Sequence, residues 1–102
     1  MVMNRKGRPP QLTRQTMQVV AILIRHRKGL AGSLIATMSG LASGTLYPIL
    51  ARLEEAGWIE SESEDSGSRR KIYSLTTVGA RVAREEAAKW QTVIGLLASM
   101  PR

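Results

Sequence analysis

The side chains in this sequence that can do chemistry are cations and short hydroxyls rather than nucleophiles or metal ligands. Cysteine is absent and His26 is the single histidine, which removes disulfides, thiolate nucleophiles, Cys-based metal sites and any histidine cluster. The adjacent carboxylates Glu54-Glu55 and Glu85-Glu86 diverge on a helix instead of converging on a reacting atom. The residues therefore predict no enzyme, no cofactor and no metal site. What remains is phosphate chemistry. Arg5, Lys6 and Arg8 stand in an acid-free start, Arg69, Arg70 and Lys71 are consecutive, and Ser43, Thr45 and Tyr47 gather three hydroxyls within five positions. Cationic groups neutralise phosphate oxygens, and short hydroxyls beside the free N–H groups of a helix start can bond them.

The charge balance points the same way. Fifteen Lys+Arg against eight Asp+Glu leave a formal charge of +7 on 102 residues, so a polyanion is the default partner. The excess is uneven: seven cations and no acid up to Lys28, one cation against six acids from Gly29 to Ser68, and seven cations against two acids from Arg69 on. A chain this long fits one domain, and so small a core leaves room for a partner subunit to add stability. The longest unbroken apolar run, Val19 to Ile24, is far short of the roughly 20 residues of a membrane span. Arg25, His26, Arg27 and Lys28 follow it where a signal peptide would need a cleavage site, so the expectation is a cytoplasmic protein without membrane contact.

These residues need elements to position them. Residues 1–11 have no apolar period and end near Arg8-Pro9-Pro10, which predicts a flexible basic arm. From Leu12 to Lys28, Met17, Val20, Ala21 and Ile24 fall on one helical face while Val19, Ile22 and Leu23 fill the other. A helix that is apolar nearly all round asks for cover on two sides. A short helix from Ala31 to Met38 follows, with Leu34, Ile35 and Met38 as its buried set, and then a tight link through Gly40. The next helix starts at Ser43 as N-cap and places Leu46, Ile49, Leu50 and Leu53 at core spacing before Gly57. Beyond Gly57 the period falls to two, predicting strands over Trp58–Ser63 and Arg69–Leu75. Thr76 caps a last helix reaching about Ser99, along which Ala83, Ala87, Trp90, Ile94 and Leu97 are spaced 4, 3, 4 and 3, a seam that wants another helix.

The fold class expected is mainly α with a small β-hairpin: a winged helix-turn-helix over residues 12–76 and a long dimerisation helix over 77–102. In such a fold the third helix enters the major groove and the hairpin straddles the backbone. Three stretches, Ser43-Gly44-Thr45-Leu46-Tyr47-Pro48-Ile49-Leu50, Arg52-Leu53-Glu54-Glu55-Ala56-Gly57-Trp58-Ile59 and Arg70-Lys71-Ile72-Tyr73-Ser74-Leu75-Thr76-Thr77-Val78-Gly79, closely resemble the PadR family of bacterial transcriptional regulators, in its compact branch. The sequence departs from that pattern at Gly32-Ser33-Leu34, where relatives carry Gly-Tyr-Glu, and it has no Phe.

The resemblance implies a dimeric repressor of double-stranded DNA whose last helix packs on the first helix of its partner. Val19 and Leu23 would then share a dimer face with Ala83, Ala87, Trp90, Ile94 and Leu97. It also makes Trp90 a candidate effector contact for a flat hydrophobic small molecule, with plain seam packing as the other reading. On the residues alone, turning the leucines of the third helix inward leaves Thr45, Pro48 and Arg52 outward with Tyr47 at the flank, beside Ser43. Pro48 breaks a helix rule there, deleting a backbone hydrogen bond at about 3 kcal/mol. Arg69, Arg70 and Lys71 would reach phosphate from the wing. Lys6-Gly7-Arg8-Pro9 is similar to a minor-groove hook, which places Arg5, Lys6 and Arg8 in the arm. Two other readings keep the fold: a protein-interaction module docking through the acidic middle segment, and an architectural factor that bends DNA for recombination.

Overall fold

The computed structural model of the chain describes residues 12–64 and 70–101. Its elements run α1 (Arg14–Arg25), β1 (Leu30–Ala31), α2 (Gly32–Ser39), α3 (Ser43–Glu55), β2 (Ile59–Ser63), β3 (Lys71–Leu75) and α4 (Thr77–Ala98). This is a mainly helical chain with one small antiparallel sheet, a winged helix-turn-helix followed by a long last helix.

Thr13 caps α1, its hydroxyl accepting from the Thr16 N–H at 3.2 Å. One face, Thr16, Val19, Val20 and Leu23, is buried. Val19 and Leu23, expected at a dimer face, close on the chain's own core instead, each 0% exposed. A side chain already enclosed by its own fold has no surface left for a partner. Ala83, also expected at that face, is buried in the chain's own core cluster for the same reason.

After Gly29 the backbone forms a strand that the periodicity does not announce. β1 is two residues long, too short to show any period, and exists because β3 offers it an edge. Leu30 pairs with Tyr73 and Ala31 with Ile72. β3 is thus the central strand of order β1-β3-β2, with Ile59 opposite Leu75 and Ser63 opposite Lys71. Gly29 has φ 102°, and a Cβ there would lie 2.7 Å from Ile72 Cγ2, so position and space both require glycine.

α2 buries Gly32 and Ile35 and ends at Gly40 in the left-handed region. Leu34 and Met38, expected inside, are exposed; the helix turns its Gly32–Ile35 edge inward, which swings the 34/38 row aside. α3 follows after three residues, and its Leu46, Ile49, Leu50 and Leu53 are all buried. Each such side chain contributes about 1.5–3 kcal/mol of apolar burial. Trp58, Ile59, Tyr73 and Leu75 complete the core from the sheet side.

Thr76 joins the two halves. Its hydroxyl donates toward the carbonyls of Gly57 at 2.7 Å and Trp58 at 3.1 Å while accepting from the Gly79 N–H at 3.0 Å. The cap of α4 is thereby tied to the end of α3. Over 22 residues α4 is about 33 Å long, but only Gly79, Ala80 and Ala83 are buried. Every residue from Ala88 to Pro101 is exposed.

Candidate nucleic-acid interface

The start of α3 is built for close approach. Ala42, not Ser43, is the N-cap residue, and no side chain caps the helix. Ser43 is the first helical residue, which leaves its hydroxyl beside the N–H groups of Ser43 and Gly44, while the Thr45 N–H donates to the Ala42 carbonyl at 3.0 Å. Ser43 and Gly44 are exposed and Thr45 is half-buried. A Cβ at Gly44 would meet nothing within 4 Å, so this glycine serves openness rather than the fold. Pro48 lies inside the helix. It withholds the N–H that would have bonded the Gly44 carbonyl, and both residues face outward, so a polar acceptor is left on the open face. Arg52 is exposed one turn further on. With the four leucine and isoleucine positions inward, the outward face is small and nearly uncharged.

Tyr47 stands at the flank, 43% exposed. It leans over the first turn of α2: a Cβ at Gly32 would lie 2.8 Å from the Tyr47 hydroxyl and 3.1 Å from Cε1. Gly32, Ser33, Tyr47, Arg70, Lys71 and Tyr73 line a cleft of about 330 Å³. The structure thus brings Tyr47, Arg70 and Lys71, separated in sequence, to one place. Gly32, Ser33 and Tyr73 join them without a sequence signal of their own, since a glycine, a serine and a strand tyrosine fit ordinary structural positions. The Tyr73 phenol is held above its ordinary pKa by burial first, then by the Glu54 carboxylate and by Tyr47.

The wing pairs its charges. Arg70 Nε is 3.2 Å from Glu64 Oε2 at the exposed surface, and the Glu64 N–H donates to the Arg70 carbonyl at 3.0 Å, extending the ladder by one rung. Glu54 at the end of α3 accepts from the Ser61 hydroxyl at 2.7 Å, fastening α3 to β2. Lys71 is exposed. Arg5, Lys6, Arg8 and Arg69 lie outside the described residues.

On α4, Ala87 is half-buried while Trp90, Ile94 and Leu97 are exposed, together with Val93, Leu96 and Met100. Trp90 is 49% exposed and with Ile94, Leu12, Arg14 and Met17 lines a second cleft of about 300 Å³. The last three turns of α4 thus carry apolar side chains that no described residue buries. Among the described residues no group of His, Cys, Asp or Glu could hold a metal ion, and no single helix is long and apolar enough to cross a membrane.

The model of the transcriptional regulator PadR-like family matches residues 23–85, more than half of the chain. The chain belongs to the PadR-like family. No curated protein matches it. Among solved structures, the PcaV transcriptional regulator from Streptomyces coelicolor is similar at 24% identity and TM-score 0.78, covering 89% of this chain and 67% of that one. MarR is 28% identical with TM-score 0.75, over 84% of this chain and 62% of its own. A mutant of MepR from S. aureus bound to an oligodeoxyribonucleotide is 24% identical with TM-score 0.71, over 88% and 66%. The PadR-like chain thus spans about two thirds of the length of these winged-helix regulators. It is a DNA-binding transcriptional regulator and not an enzyme.

Proposed function

We propose that the PadR-like chain acts in the cytoplasm as a homodimeric repressor, reading an operator with α3 in the major groove and gripping phosphate with the wing, and that a flat hydrophobic effector releases it. Ser43, Thr45, Tyr47, Pro48 and Arg52 meet the groove and its edge, Arg69, Arg70 and Lys71 meet the backbone, and residues 1–11 add Arg5, Lys6 and Arg8 as an arm. Residues 12–76 form the DNA-binding domain and 77–102 the dimerisation helix, with Ala87, Trp90, Ile94 and Leu97 as its seam.

The observation that carries this reading is the half of α4 that the chain leaves uncovered. From Ala88 on no residue of α4 is buried, and its apolar row borders the cleft that Trp90 shares with the start of α1. An exposed helix of that length is poorly stable alone in water, and a second copy supplies the missing cover in the two-fold arrangement common to operator-binding dimers. The same row places an aromatic ring where a planar ligand can stack.

Genome-wide pull-down of bound DNA followed by footprinting of the best site tests the reading. Two half-sites about one helical turn apart are the expected result; a single unpaired site or uniform coverage overturns the dimeric operator-binding claim. Effector release is tested by titrating planar aromatic compounds against Trp90 fluorescence in a Trp58→Phe background, where quenching should accompany loss of operator binding.

A further inference from the structure

We infer that the main-chain carbonyl of Gly44, released by Pro48, is a specificity-determining acceptor of α3, and that it takes its hydrogen bond from one exocyclic amino group, of adenine or cytosine, in the major groove. This rests on the placement of α3 in the groove proposed above and adds to it the atom and the chemistry of one recognised position.

The carbonyl of each residue in an α-helix points along the axis toward the N–H of the residue four further on. For Gly44 that residue is Pro48, which lies inside the helix and has no N–H to give. Both positions are exposed, and carbonyls on the solvent side of a helix tilt outward. Nothing lies within 4 Å of the place a Gly44 Cβ would occupy, so the oxygen is approached over bare backbone. Glycine and proline are the two poorest residues for a helix interior, and α3 carries them four apart on its outer face. Gly44 has no positive φ and neither residue fills space in the core, so the fold gains nothing from the pair. Local rules broken together on a binding face point to function.

The groove sets the chemistry. Side chains read the amino group of adenine with Asn or Gln and that of cytosine with Asp or Glu. α3 has none of these before Glu54, and Glu54 is engaged by the Ser61 hydroxyl. The outward side chains of the first three turns offer the Ser43 and Thr45 hydroxyls, which donate as well as accept, and the Arg52 guanidinium, which only donates. The Gly44 carbonyl is the group among them that can only accept. The guanine and thymine edges present acceptors in the major groove and no amino group, so they oppose this oxygen where adenine or cytosine satisfies it.

The full chain is titrated by competition against its footprinted duplex, with single adenines replaced by purine and single cytosines by pyrimidin-2-one, each exchange removing only the amino group. Wild type is compared with Pro48→Ala, which returns the N–H at that position and closes the bond to the Gly44 carbonyl. At one base pair per half-site the exchange should cost wild type about three- to ten-fold in affinity, the size of one hydrogen bond, and cost Pro48→Ala nothing. At other positions the two proteins should lose equally. The urea midpoint of Pro48→Ala should rise, since the helix interior gains a bond, and circular dichroism checks that the fold is kept. Equal losses in both proteins at every position, or a midpoint that falls, overturn the assignment while leaving DNA binding intact. Uracil in place of single thymines provides the other arm. If the two proteins diverge at a thymine methyl instead, the Pro48 ring is the reader and the carbonyl is not. A wild type that binds all duplexes alike defeats the groove-reading placement of α3 itself.

Discussion

The α-carbon of Gly79 rests directly on the carbonyl of Trp58: a Cβ at that position would overlap the oxygen and lie 2.7 Å from the carbonyl carbon. The Thr76 N–H donates to the same oxygen at 2.9 Å, so one backbone carbonyl receives both the cap and the first turn of α4. The helix that carries the apolar seam is therefore seated on the turn that ends α3. A tilt of α4 would therefore press first on the Trp58 carbonyl.

Gly79→Ala tests that seating. In an open helix the change stabilises by up to about 1 kcal/mol; here the overlap with backbone should reverse the sign and cost about 1–3 kcal/mol. Gly95, on the same helix with nothing within 4 Å of its Cβ position, is the matched control, and Gly95→Ala should hold or raise the urea midpoint. A Gly79→Ala midpoint at or above wild type would refute the seating.

Affinity and sequence choice should separate by residue. Neutralising Arg69, Arg70 and Lys71 together should weaken binding to all duplexes and lower the slope of log K against log salt by about one unit for each phosphate that is no longer neutralised. Thr45→Ala should instead reorder preferences among operator variants and leave the salt slope in place. Filter binding across a salt series decides, and an unchanged slope in the triple variant excludes the wing from the interface.

The exposed row of α4 predicts a concentration-dependent assembly. Ile94→Asp places a charge in the middle of the seam, and burying an unpaired charge costs several kcal/mol. The expected outcome is a monomer by light scattering at concentrations where wild type is a dimer, with a melting temperature that no longer rises with concentration. A dimer that persists in Ile94→Asp would place the interface elsewhere.

The elements that carry a period are legible in the sequence. Leu46, Ile49, Leu50 and Leu53 announce α3, and the Thr76 cap and the hairpin strands fall within one or two residues of their observed ends. What escapes is set by tertiary packing that leaves no period. The two residues of β1 form a strand only because β3 has a free edge, and Gly32 matters only because Tyr47 crosses over it. The spacing from Ala83 to Leu97 suggests one surface, yet its first residue belongs to the core and its last three are exposed, since a heptad pattern does not say which helix covers each turn. The same ambiguity turns Val19 and Leu23 outward in the sequence reading. A helix apolar all round gives no angular signal for its inner face, and the buried stripe of Thr16, Val19, Val20 and Leu23 is decided by where the sheet lies.

Tyr73 gives the fold a pH dependence whose sign can be stated. Burial, then Glu54 and Tyr47, raise its pKa in the folded chain, while in the unfolded chain it titrates near 10. Above that pH the folded state keeps a proton that the unfolded state has released, so folding is opposed by each further step in pH. The contribution is complete below about pH 10 and is lost as pH rises through the folded value. Lysines titrate in the same range, so the measurement is a comparison. Urea midpoints taken from about pH 8 to 11 should fall more steeply for wild type than for Tyr73→Phe above pH 10, and the two curves should run parallel below it. Parallel curves over the whole range would mean that the phenol is no harder to ionise in the fold than outside it.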